Sequence, residues 1–231
     1  MEHQRMEVVK LGLIDYTKAY EIQLQVHQKV NEGKWGNVFL LLEHPPVITT
    51  GLSGNRKNIN ATGEQLNEAR IQIRSCRRGG DVTYHGPGQI VGYPIFNLRY
   101  IGRKIRQYIT NLENANISLL KNEYAIEAGR KPEFPGVWIG EEKITAIGCR
   151  VKRGISLHGF AFNINTNLDH FKYITPCGLV GKGVTSLKRE LGQSQDFEKN
   201  VDLTIKYLAR TFGFDYTTIN KAEFLNDLEE E

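Results

Sequence analysis

The chain has 231 residues, of which 40% are hydrophobic and 24% are charged. These are ordinary values for a globular protein, and they exclude intrinsically disordered and fibrous classes. The net charge of +4 is mild and does not indicate a dedicated nucleic-acid binder, whose basic residues should cluster on one face. Short basic groups such as Arg77-Arg78 and Lys188-Arg189 are interpreted as solvated surface, and a docking patch for an acidic protein partner is the alternative.

The first half of the chain contains one clear helix and three strand-like segments. Apolar and aromatic residues recur at helical spacing over residues 16–31, and Gly33 follows as a stop signal. The apolar run over residues 38–42 predicts a buried strand that ends at His44-Pro45-Pro46. A short strand is expected over residues 71–74, and another over residues 90–96.

The sequence of the second half of the chain predicts two helices, with a pair of hairpins between them. Helical spacing of apolar residues predicts a helix over residues 105–120. Strands over residues 137–139, 143–151 and 155–164 are separated by tight turns, so this part of the sheet should be antiparallel. A last helix is expected from Asp196, a preferred N-cap residue, to Gly213, and the acidic end of the chain should be frayed.

This order of elements predicts the fold class. Helices flank blocks of strands without regular βαβ alternation, which indicates an α+β fold with a mixed, largely antiparallel sheet flanked by helices. No repeat, low-complexity tract or composition break divides the chain, so residues 1–231 are expected to form a single domain. No apolar run is long enough to span a membrane, and no signal segment follows Met1. We therefore expect a soluble, cytoplasmic protein without a membrane or nucleic-acid partner.

The strongest local signal is the run from Arg78 to Gln89, which reads RGGDVTYHGPGQ. Its glycines and proline exclude a regular helix or a central strand, so it is interpreted as a long loop without internal structure. Glycine lets backbone N–H groups approach a ligand, and the Arg, Thr, Tyr and His side chains could orient that ligand. A structural turn is an equally good interpretation. The chain has neither a P-loop motif nor a complete G-x-G-x-x-G, so no motif supports nucleotide binding.

A second signal is Cys177, which lies in a Pro/Gly turn after the predicted last segment of the sheet. Cys76 and Cys149 look like small buried hydrophobic residues. Three cysteines without a C-x-x-C spacing argue for a reducing compartment. A nucleophilic thiol must be ionised, and a nearby cation or histidine would favour this. His85, His158 and Lys143 are candidates for that neighbour, and spacing alone pairs none of them with Cys177.

The six histidines show no zinc-ligand spacing among themselves or with cysteine, so no metal site is expected.

Four ordered motifs together resemble one known family, the lipoyl(octanoyl)transferases. They are the run over residues 78–89, the segments 143–148 and 158–163, and Thr175-Pro176-Cys177-Gly178 followed by residues 184–187. The segment 41–47 matches the early strand and turn of that family as well. The resemblance covers about residues 38–192.

The resemblance implies a fold shared with biotin-protein and lipoate-protein ligases. It also implies an active site built on a Cys/Lys dyad. Cys177 would be the acyl-thioester nucleophile, and Lys143 would lower the pKa of its thiol. The acyl site would be lined by Arg78, Gly79, Gly80, Asp81, Val82, Thr83, Tyr84, His85, Ala146, Ile147, Gly148, Gly159, Phe160 and Ala161.

The implied reaction moves an octanoyl group from octanoyl-acyl carrier protein to a lysine of a lipoyl domain, with no cofactor and no ATP. The acceptors would be the lipoyl domains of 2-oxoacid dehydrogenase complexes and the glycine cleavage H protein. Three alternatives remain open: an ATP-dependent lipoate or biotin ligase on the same fold, an amidotransferase between lipoyl domains, and a silent domain that only binds carrier or lipoyl proteins.

Overall fold

A computed structural model describes residues 4–99, 104–175 and 182–229. The strands are β1 Gln4–Leu13, β2 Asn37–Glu43, β3 Val47–Thr50, β4 Gln72–Ser75, β5 Val82–His85, β6 Gln89–Ile95, β7 Gly136–Ile139, β8 Glu142–Lys152, β9 Ile155–Asn163, β10 Gly183–Val184 and β11 Phe214–Ile219. The α-helices are α1 Tyr16–Asn31, α2 Gly63–Glu68, α3 Ile105–Tyr124, α4 Leu187–Leu191, α5 Phe197–Phe212 and α6 Lys221–Glu229. Two short 3-10 helices span Arg56–Asn58 and Leu168–Tyr173.

The large sheet has the strand order β10-β8-β9-β6-β2-β1-β11, and β7 pairs with β8 beside this path. The central pairs β2–β6, β6–β9, β8–β9 and β7–β8 are antiparallel. The outer pairs β1–β2, β1–β11 and β8–β10 are parallel. The prediction of a mixed, largely antiparallel sheet is therefore confirmed, including the antiparallel hairpins formed by β7, β8 and β9.

A second, three-stranded sheet has the order β4-β3-β5. Its strand β5 lies inside the glycine-rich run, so the expectation of a loop without internal structure was wrong for Val82–His85. The residues of this strand are good strand formers, and within the described part of the chain β5 pairs with β3 alone, at the edge of the small sheet. An edge strand bounded by turns is compatible with the glycines on either side. The expectation that Cys177 follows the last sheet segment was also wrong, because β10 and β11 come after it.

Helices cover both faces of the large sheet, which explains why its central strands β6 and β9 are buried along their whole length. Along β2, Phe39 packs in a core with helices α3 and α5, whereas Leu40 packs in a second core with helices α1 and α6. A strand buried on both faces reads as a continuous apolar run instead of an alternating one. A third, smaller core lies on the small sheet around Ile48 and Tyr84.

The predicted ends of helix α5 are confirmed by its caps. Asp196 lies at the N-cap of α5, where its side chain accepts a hydrogen bond from the backbone N–H of Lys199 at 3.0 Å. Gly213 ends the same helix with φ of 70°, a conformation that glycine adopts without steric strain. None of the described helices is both long and apolar enough to cross a membrane.

Strands β6 and β9 approach so closely at Gly159 that no side chain fits there. A Cβ atom on Gly159 would collide with the carbonyl oxygen of Gly92 and would lie 2.7 Å from Cδ of Pro94. Backbone atoms in the centre of a sheet cannot move aside, so any larger residue forces the two strands apart.

We therefore expect Gly159→Ala to lower the free energy of unfolding by about 1–3 kcal/mol, as overpacking in a core does. The matched control is Gly129→Ala, because a Cβ atom on Gly129 meets no heavy atom within 4 Å. Urea denaturation of both variants measures the difference. Equal stability of the two variants would show that the strands can separate at no cost.

Candidate active site

A cavity of about 600 Å³ lies against strands β8 and β9 of the large sheet. Its other walls are residues 78–83 and His85, which lead into and form part of β5, and residues of the 3-10 helix Leu168–Tyr173. Thr175 and the segment 182–184 also line it. The small sheet and the large sheet thus contribute opposite walls, which creates the concave site that a small-molecule group needs.

The four motifs meet at this cavity. Among the residues predicted to form the site, Lys143 and all the predicted acyl-site residues except Tyr84 line it: Arg78, Gly79, Gly80, Asp81, Val82, Thr83, His85, Ala146, Ile147, Gly148, Gly159, Phe160 and Ala161. Tyr84 instead packs in the small core, and its hydroxyl lies 2.7 Å from Nδ1 of His170. The binding roles of these residues remain predictions.

Lys143 occupies the second position of β8, directly after a tight turn, as predicted. Its Nζ donates a hydrogen bond to the carbonyl oxygen of Pro135 at 3.0 Å and lies 4.8 Å from the ring centroid of Trp138. Trp138 is fixed in turn, because its Nε1 donates to the carbonyl oxygen of Phe134 at 3.1 Å. Gly136 leaves room for the lysine, since a Cβ atom there would lie 3.3 Å from Cδ and Cε of Lys143. The ammonium group is therefore held at a defined place on the cavity wall.

Cys177 lies outside the described residues. The described residues on its two sides, Thr175 and Lys182, both line the cavity. After Lys182 the chain pairs with β8, where Val184 lies opposite Lys143. The backbone N–H of Thr185 donates to the carbonyl oxygen of Lys143 at 3.0 Å.

The other two cysteines are half-buried, and Cys149 fits the expectation of an unreactive thiol. Sγ of Cys149 points back to the carbonyl oxygen of Gly159 at 3.6 Å, and burial raises the pKa of this thiol to about 12. Sγ of Cys76 lies 3.4 Å from the carbonyl oxygen of Thr50. A thiol with a raised pKa is a poor nucleophile at neutral pH.

Arg78 places a buried positive charge on the cavity wall. Its Nε and Nη2 donate to the side-chain and backbone oxygens of Thr49 at 3.1 and 2.8 Å, and its Nη1 donates to the carbonyl oxygen of Gly79 at 2.9 Å. Its described partners are all neutral, so its charge acts on the neighbouring titratable groups. That charge contributes to a lowered pKa of both His85 and His158.

A chain of amide groups fixes the tautomer of His85. The amide of Asn163 donates to the carbonyl oxygen of Thr185 at 3.0 Å, so its Oδ1 is free to accept from Nε2 of Gln89 at 2.9 Å. Oε1 of Gln89 must then accept from Nδ1–H of His85, at 2.8 Å. Nε2 of His85 is left as a hydrogen-bond acceptor, and burial together with the nearby His44 and Arg78 keeps the pKa of this ring well below its usual range.

His44 and Tyr93 extend this buried polar layer. Nδ1 of His44 lies 2.8 Å from the carbonyl oxygen of Ile14 and therefore carries the proton. Its Nε2 then accepts from the hydroxyl of Tyr93 at 2.8 Å. Burial lowers the pKa of His44 to about 4, so the ring is neutral over the physiological range.

Asp81 lines the cavity, but its carboxylate is occupied by the neighbouring loop. Its oxygens accept from the backbone N–H of Asn55 at 2.9 Å and from the side-chain amide of Asn58. The side chain therefore holds the turn over residues 55–58 against the site.

Sequence reasoning missed several cavity residues. Gln89 and Asn163 are the last residues of two of the quoted motifs, so the motifs contained them although neither was assigned to the site, and His158 was considered only as a neighbour of Cys177. Tyr16 and Tyr93 carry no motif at all. They reach the cavity from α1 and β6 through the tertiary arrangement alone.

Comparisons with known proteins agree on one family and one fold. The model of the lipoyl protein ligase A/B catalytic domain matches residues 15–209. An octanoyltransferase of Desulforamulus reducens is 47% identical over 224 residues, which cover 97% of this chain and 98% of the relative.

Two solved structures share the architecture. A bipartite lipoate protein ligase of Thermoplasma acidophilum has a TM-score of 0.73 at 14% identity, over 98% of this chain and 91% of that one. The biotin protein ligase of Aquifex aeolicus has a TM-score of 0.55 at 13% identity, over 89% and 70%. The expected likeness to lipoate and biotin ligases in fold is confirmed.

The buried neutral histidines predict an acid-sensitive fold. In the unfolded chain a histidine takes up a proton near pH 6.5, whereas folded His44 resists protonation until about pH 4. Between these values the unfolded state binds more protons, so stability falls as the pH drops, by up to about 1.4 kcal/mol per pH unit for this ring. We expect His44→Asn to show a shallower decline in the free energy of unfolding between pH 6.5 and 4.5.

Urea denaturation at several pH values measures this slope for the wild type and the variant. The same substitution at His170, which is half-exposed, should change the slope less. Identical slopes for the wild type and His44→Asn would show that burial does not keep the ring of His44 neutral.

Proposed function

We propose that this chain, which belongs to the octanoyltransferase family, transfers an octanoyl group to a lysine of lipoyl domains as a step of protein lipoylation. The observation that carries this proposal is the meeting of four separate sequence segments at one cavity, with the ammonium group of Lys143 held on its wall. Membership of the family rests on the full-length match to an octanoyltransferase, and the cavity offers a site for the octanoyl group.

We propose Cys177 as the nucleophile of a two-step transfer. Its thiolate would attack the carbonyl carbon of octanoyl-acyl carrier protein, forming an octanoyl thioester on the enzyme and releasing the carrier thiolate, which takes up a proton from Lys143. The acceptor lysine, after giving one proton to Lys143, would then attack the enzyme thioester, and the collapse of this adduct would release the Cys177 thiolate and a second proton to solvent as the amide forms. The flanking residues Thr175 and Lys182 on the cavity wall support this assignment, as does the pairing of Val184 with Lys143.

The surroundings of Lys143 suit a residue that carries a proton between steps. An ammonium over an aromatic face gains about 0.5–2 kcal/mol, so Trp138 favours the charged form that would stabilise a thiolate. The carbonyl oxygen of Pro135 holds Nζ in place in both steps. Both contacts favour the ammonium form of the side chain, which is the form that lowers the pKa of a neighbouring thiol.

The middle of the cavity suits an acyl chain. Ala146 on β8 and Ala161 on β9 line it with small apolar residues, and Gly148 and Gly159 add no bulk. The neighbouring side chains of Ile147 and Phe160 pack on the other face of the sheet, in the core with α3 and α5. Burying a methylene group contributes about 0.8 kcal/mol, so the chain itself would supply most of the binding free energy.

We propose further that the acceptors are the lipoyl domains of 2-oxoacid dehydrogenase complexes and the glycine cleavage H protein. The reaction would take place in the cytoplasm, where a free catalytic thiol stays reduced. A solved ligase of this fold was studied with its E2 lipoyl domain, which supports a lipoyl domain as the acceptor.

The rival reaction on the same fold is ATP-dependent ligation. Thioester exchange is close to balance and the step from thioester to amide is downhill, so transfer from a carrier thioester requires no nucleotide. We expect octanoyl transfer to a lipoyl domain to proceed at the same rate with and without ATP and Mg²⁺. A rate that rises more than tenfold on adding ATP would favour ligation instead.

The first intermediate can be observed directly. Wild-type protein mixed with octanoyl-acyl carrier protein should gain the mass of one octanoyl group, and peptide mapping should locate it on Cys177. Cys177→Ser should form no thioester adduct, whereas Cys149→Ser, which changes a thiol whose pKa burial raises to about 12, should still form it. An adduct that persists in Cys177→Ser would rule out this nucleophile and favour transfer by another residue.

The role of Lys143 can be separated from binding. We expect Lys143→Ala to slow alkylation of Cys177 by iodoacetamide at pH 7 by at least tenfold, because loss of the cation raises the pKa of the thiol. The pH profile of the alkylation rate should shift to higher pH. The control is Lys172→Ala, another lysine on the cavity wall, which should leave the profile in place. An unchanged profile for Lys143→Ala would contradict the activation role.

A further inference from the structure

Glu113 is a buried acid on helix α3 that takes no part in the reaction described above. The residue is only 6% exposed, and its chain neighbour Leu112 belongs to the apolar core between α3 and the large sheet. Its Oε1 accepts a hydrogen bond from the backbone N–H of Gly136 at 3.0 Å, and its Oε2 lies 4.0 Å from Nε of the exposed Arg130. Burial of a carboxylate is costly unless other groups stabilise it, so this placement needs a reason.

One peptide group joins Glu113 to Lys143. The N–H of the peptide between Pro135 and Gly136 donates to Glu113, and its carbonyl oxygen accepts from Nζ of Lys143 at 3.0 Å. The N and O atoms of a peptide group are about 2.3 Å apart, so Oε1 of Glu113 lies within about 8 Å of Nζ. Hydrogen bonds in series polarise one another, so the carboxylate makes this carbonyl oxygen a stronger acceptor for the ammonium group.

Gly136 allows the peptide to take this orientation. Its φ is 135°, a conformation that glycine adopts without steric strain. A Cβ atom on Gly136 would collide with the carbonyl oxygen of Thr145 on β8. The start of β7 is therefore packed against β8 on one side, while its N–H group is held by helix α3 on the other.

A second cation lies close to Lys143 and opposes its ammonium form. Nζ of Lys131 lies 4.9 Å from the centroid of the Trp138 ring, and Nζ of Lys143 lies 4.8 Å from the same centroid. Lys131 pairs with Glu141, but that carboxylate is shared with Lys182. A like charge nearby disfavours the charged form of a lysine, and an opposite charge favours it.

The rest of the cavity wall has no surplus of negative charge. Besides Lys143, the charged residues that line the described part of the cavity are Arg78, Asp81, Glu142, Asp169, Lys172, Lys182 and Arg189. Glu142 pairs with Arg189 at 3.0 Å, and Asp81 accepts from Asn55 and Asn58. The carboxylate of Glu113 adds a negative charge behind the wall, at the end where Lys143 lies.

We infer that Glu113 is a positioning residue for Lys143, which it holds in place and keeps charged through the peptide group between Pro135 and Gly136. This inference rests on the proposed function only for the use to which the ammonium group is put. Glu113 touches neither the acyl group nor the thiol. Its effect on the transfer reaction is therefore expected in the rate of the chemical steps and not in the binding of the carrier protein.

The direct test is the pH at which Lys143 loses its proton. Competitive labelling of amines with trace acetic anhydride between pH 7 and 11, read by peptide mass spectrometry on the full chain, gives this midpoint. Glu113→Gln keeps the size of the side chain and an oxygen that can accept from Gly136, and it removes the charge. Because two unit charges within about 8 Å interact in a partly buried setting, the midpoint should fall by at least about 0.5 pH units.

The same variant should alter the thiol and the reaction. We expect the pH profile of Cys177 alkylation to shift to higher pH in Glu113→Gln, since fewer Lys143 side chains are charged and fixed near the thiol. The kcat for octanoyl transfer should fall at least threefold, with the KM for octanoyl-acyl carrier protein unchanged. A role in stability alone would move neither the labelling midpoint nor the alkylation profile.

Two further variants complete the test. Glu123→Gln is the matched control, because this acid lies ten residues along α3, about 15 Å away, and accepts from the hydroxyl of Tyr207 at 2.8 Å. It should keep the wild-type midpoint of Lys143. Glu113→Leu suits the apolar core beside Leu112, so it makes the same test if the amide prevents folding, and its shift should be at least as large. The inference is overturned if Lys143 keeps its wild-type midpoint in the folded Glu113 variants, or if Glu123→Gln lowers it as much.

The labelling result does not depend on the transfer reaction. If no octanoyl adduct forms on Cys177 but Glu113→Gln lowers the midpoint of Lys143, the proposed function fails and the positioning role stands. If the adduct forms and the midpoint is unchanged, the positioning role fails and the proposed function stands.

Discussion

The site depends on one close approach between the two sheets. The backbone N–H of Gly79, just before β5, donates to the carbonyl oxygen of Cys149 on β8 at 3.2 Å. A Cβ atom on Gly79 would lie 2.6 Å from that oxygen, and one on Gly148 would lie 3.0 Å from the carbonyl oxygen of Gly79. Only a glycine at both positions lets the small sheet rest directly on β8. This contact closes the cavity along one side and places Arg78 and His85 opposite Phe160 and Ala161.

The same contact explains why a glycine-rich run can be both structural and functional. A ligand-binding loop and a structural turn are alternative interpretations of residues 78–89, and the structure shows features of both. The first glycines bring the chain to β8, β5 adds a strand to the small sheet, and Gly88 accommodates the chain near Asn165. Between these anchors the side chains of Arg78, Thr83 and His85 line the cavity.

The elements that could be predicted from the sequence are those whose burial follows from local pattern. Strand β2 is buried on both faces and reads as an unbroken apolar run, and α5 begins at an aspartate cap and ends at a glycine. Strand β1 and helix α6 have no such pattern. Strand β1 mixes polar residues with Val8 and Val9, and it pairs with strands on both sides. Helix α6 buries only Phe224 and Leu228 of its nine residues. Their place in the fold follows from contacts between distant parts of the chain.

The candidate site shows the same division. The motifs identified the part of the wall formed by residues near β5 and by β8 and β9, because a close backbone approach requires glycine and a charged site requires arginine or lysine, and both requirements are visible in the sequence. The motifs could not show that helix α1 brings Gln23 against His158, a contact between residues 135 positions apart. They also could not show that Tyr84, within the most conspicuous run, points away from the cavity into the small core. Alternation along β5 turns successive side chains to opposite faces, so a run of motif residues in a strand never lines one wall completely.

The distribution of polarity along the cavity is the property that suits it to acyl transfer. A cation at the lysine end, an apolar middle and neutral polar groups at the far end match a ligand whose only reactive atoms are at one terminus. Because burial and the charge of Arg78 keep His85 and His158 neutral, these two rings add no charge that would compete with Lys143 for a thiolate. Among the described residues of the wall, Lys143 is the lysine held by both Trp138 and Pro135, so its ammonium group marks a fixed place for the bond to be exchanged.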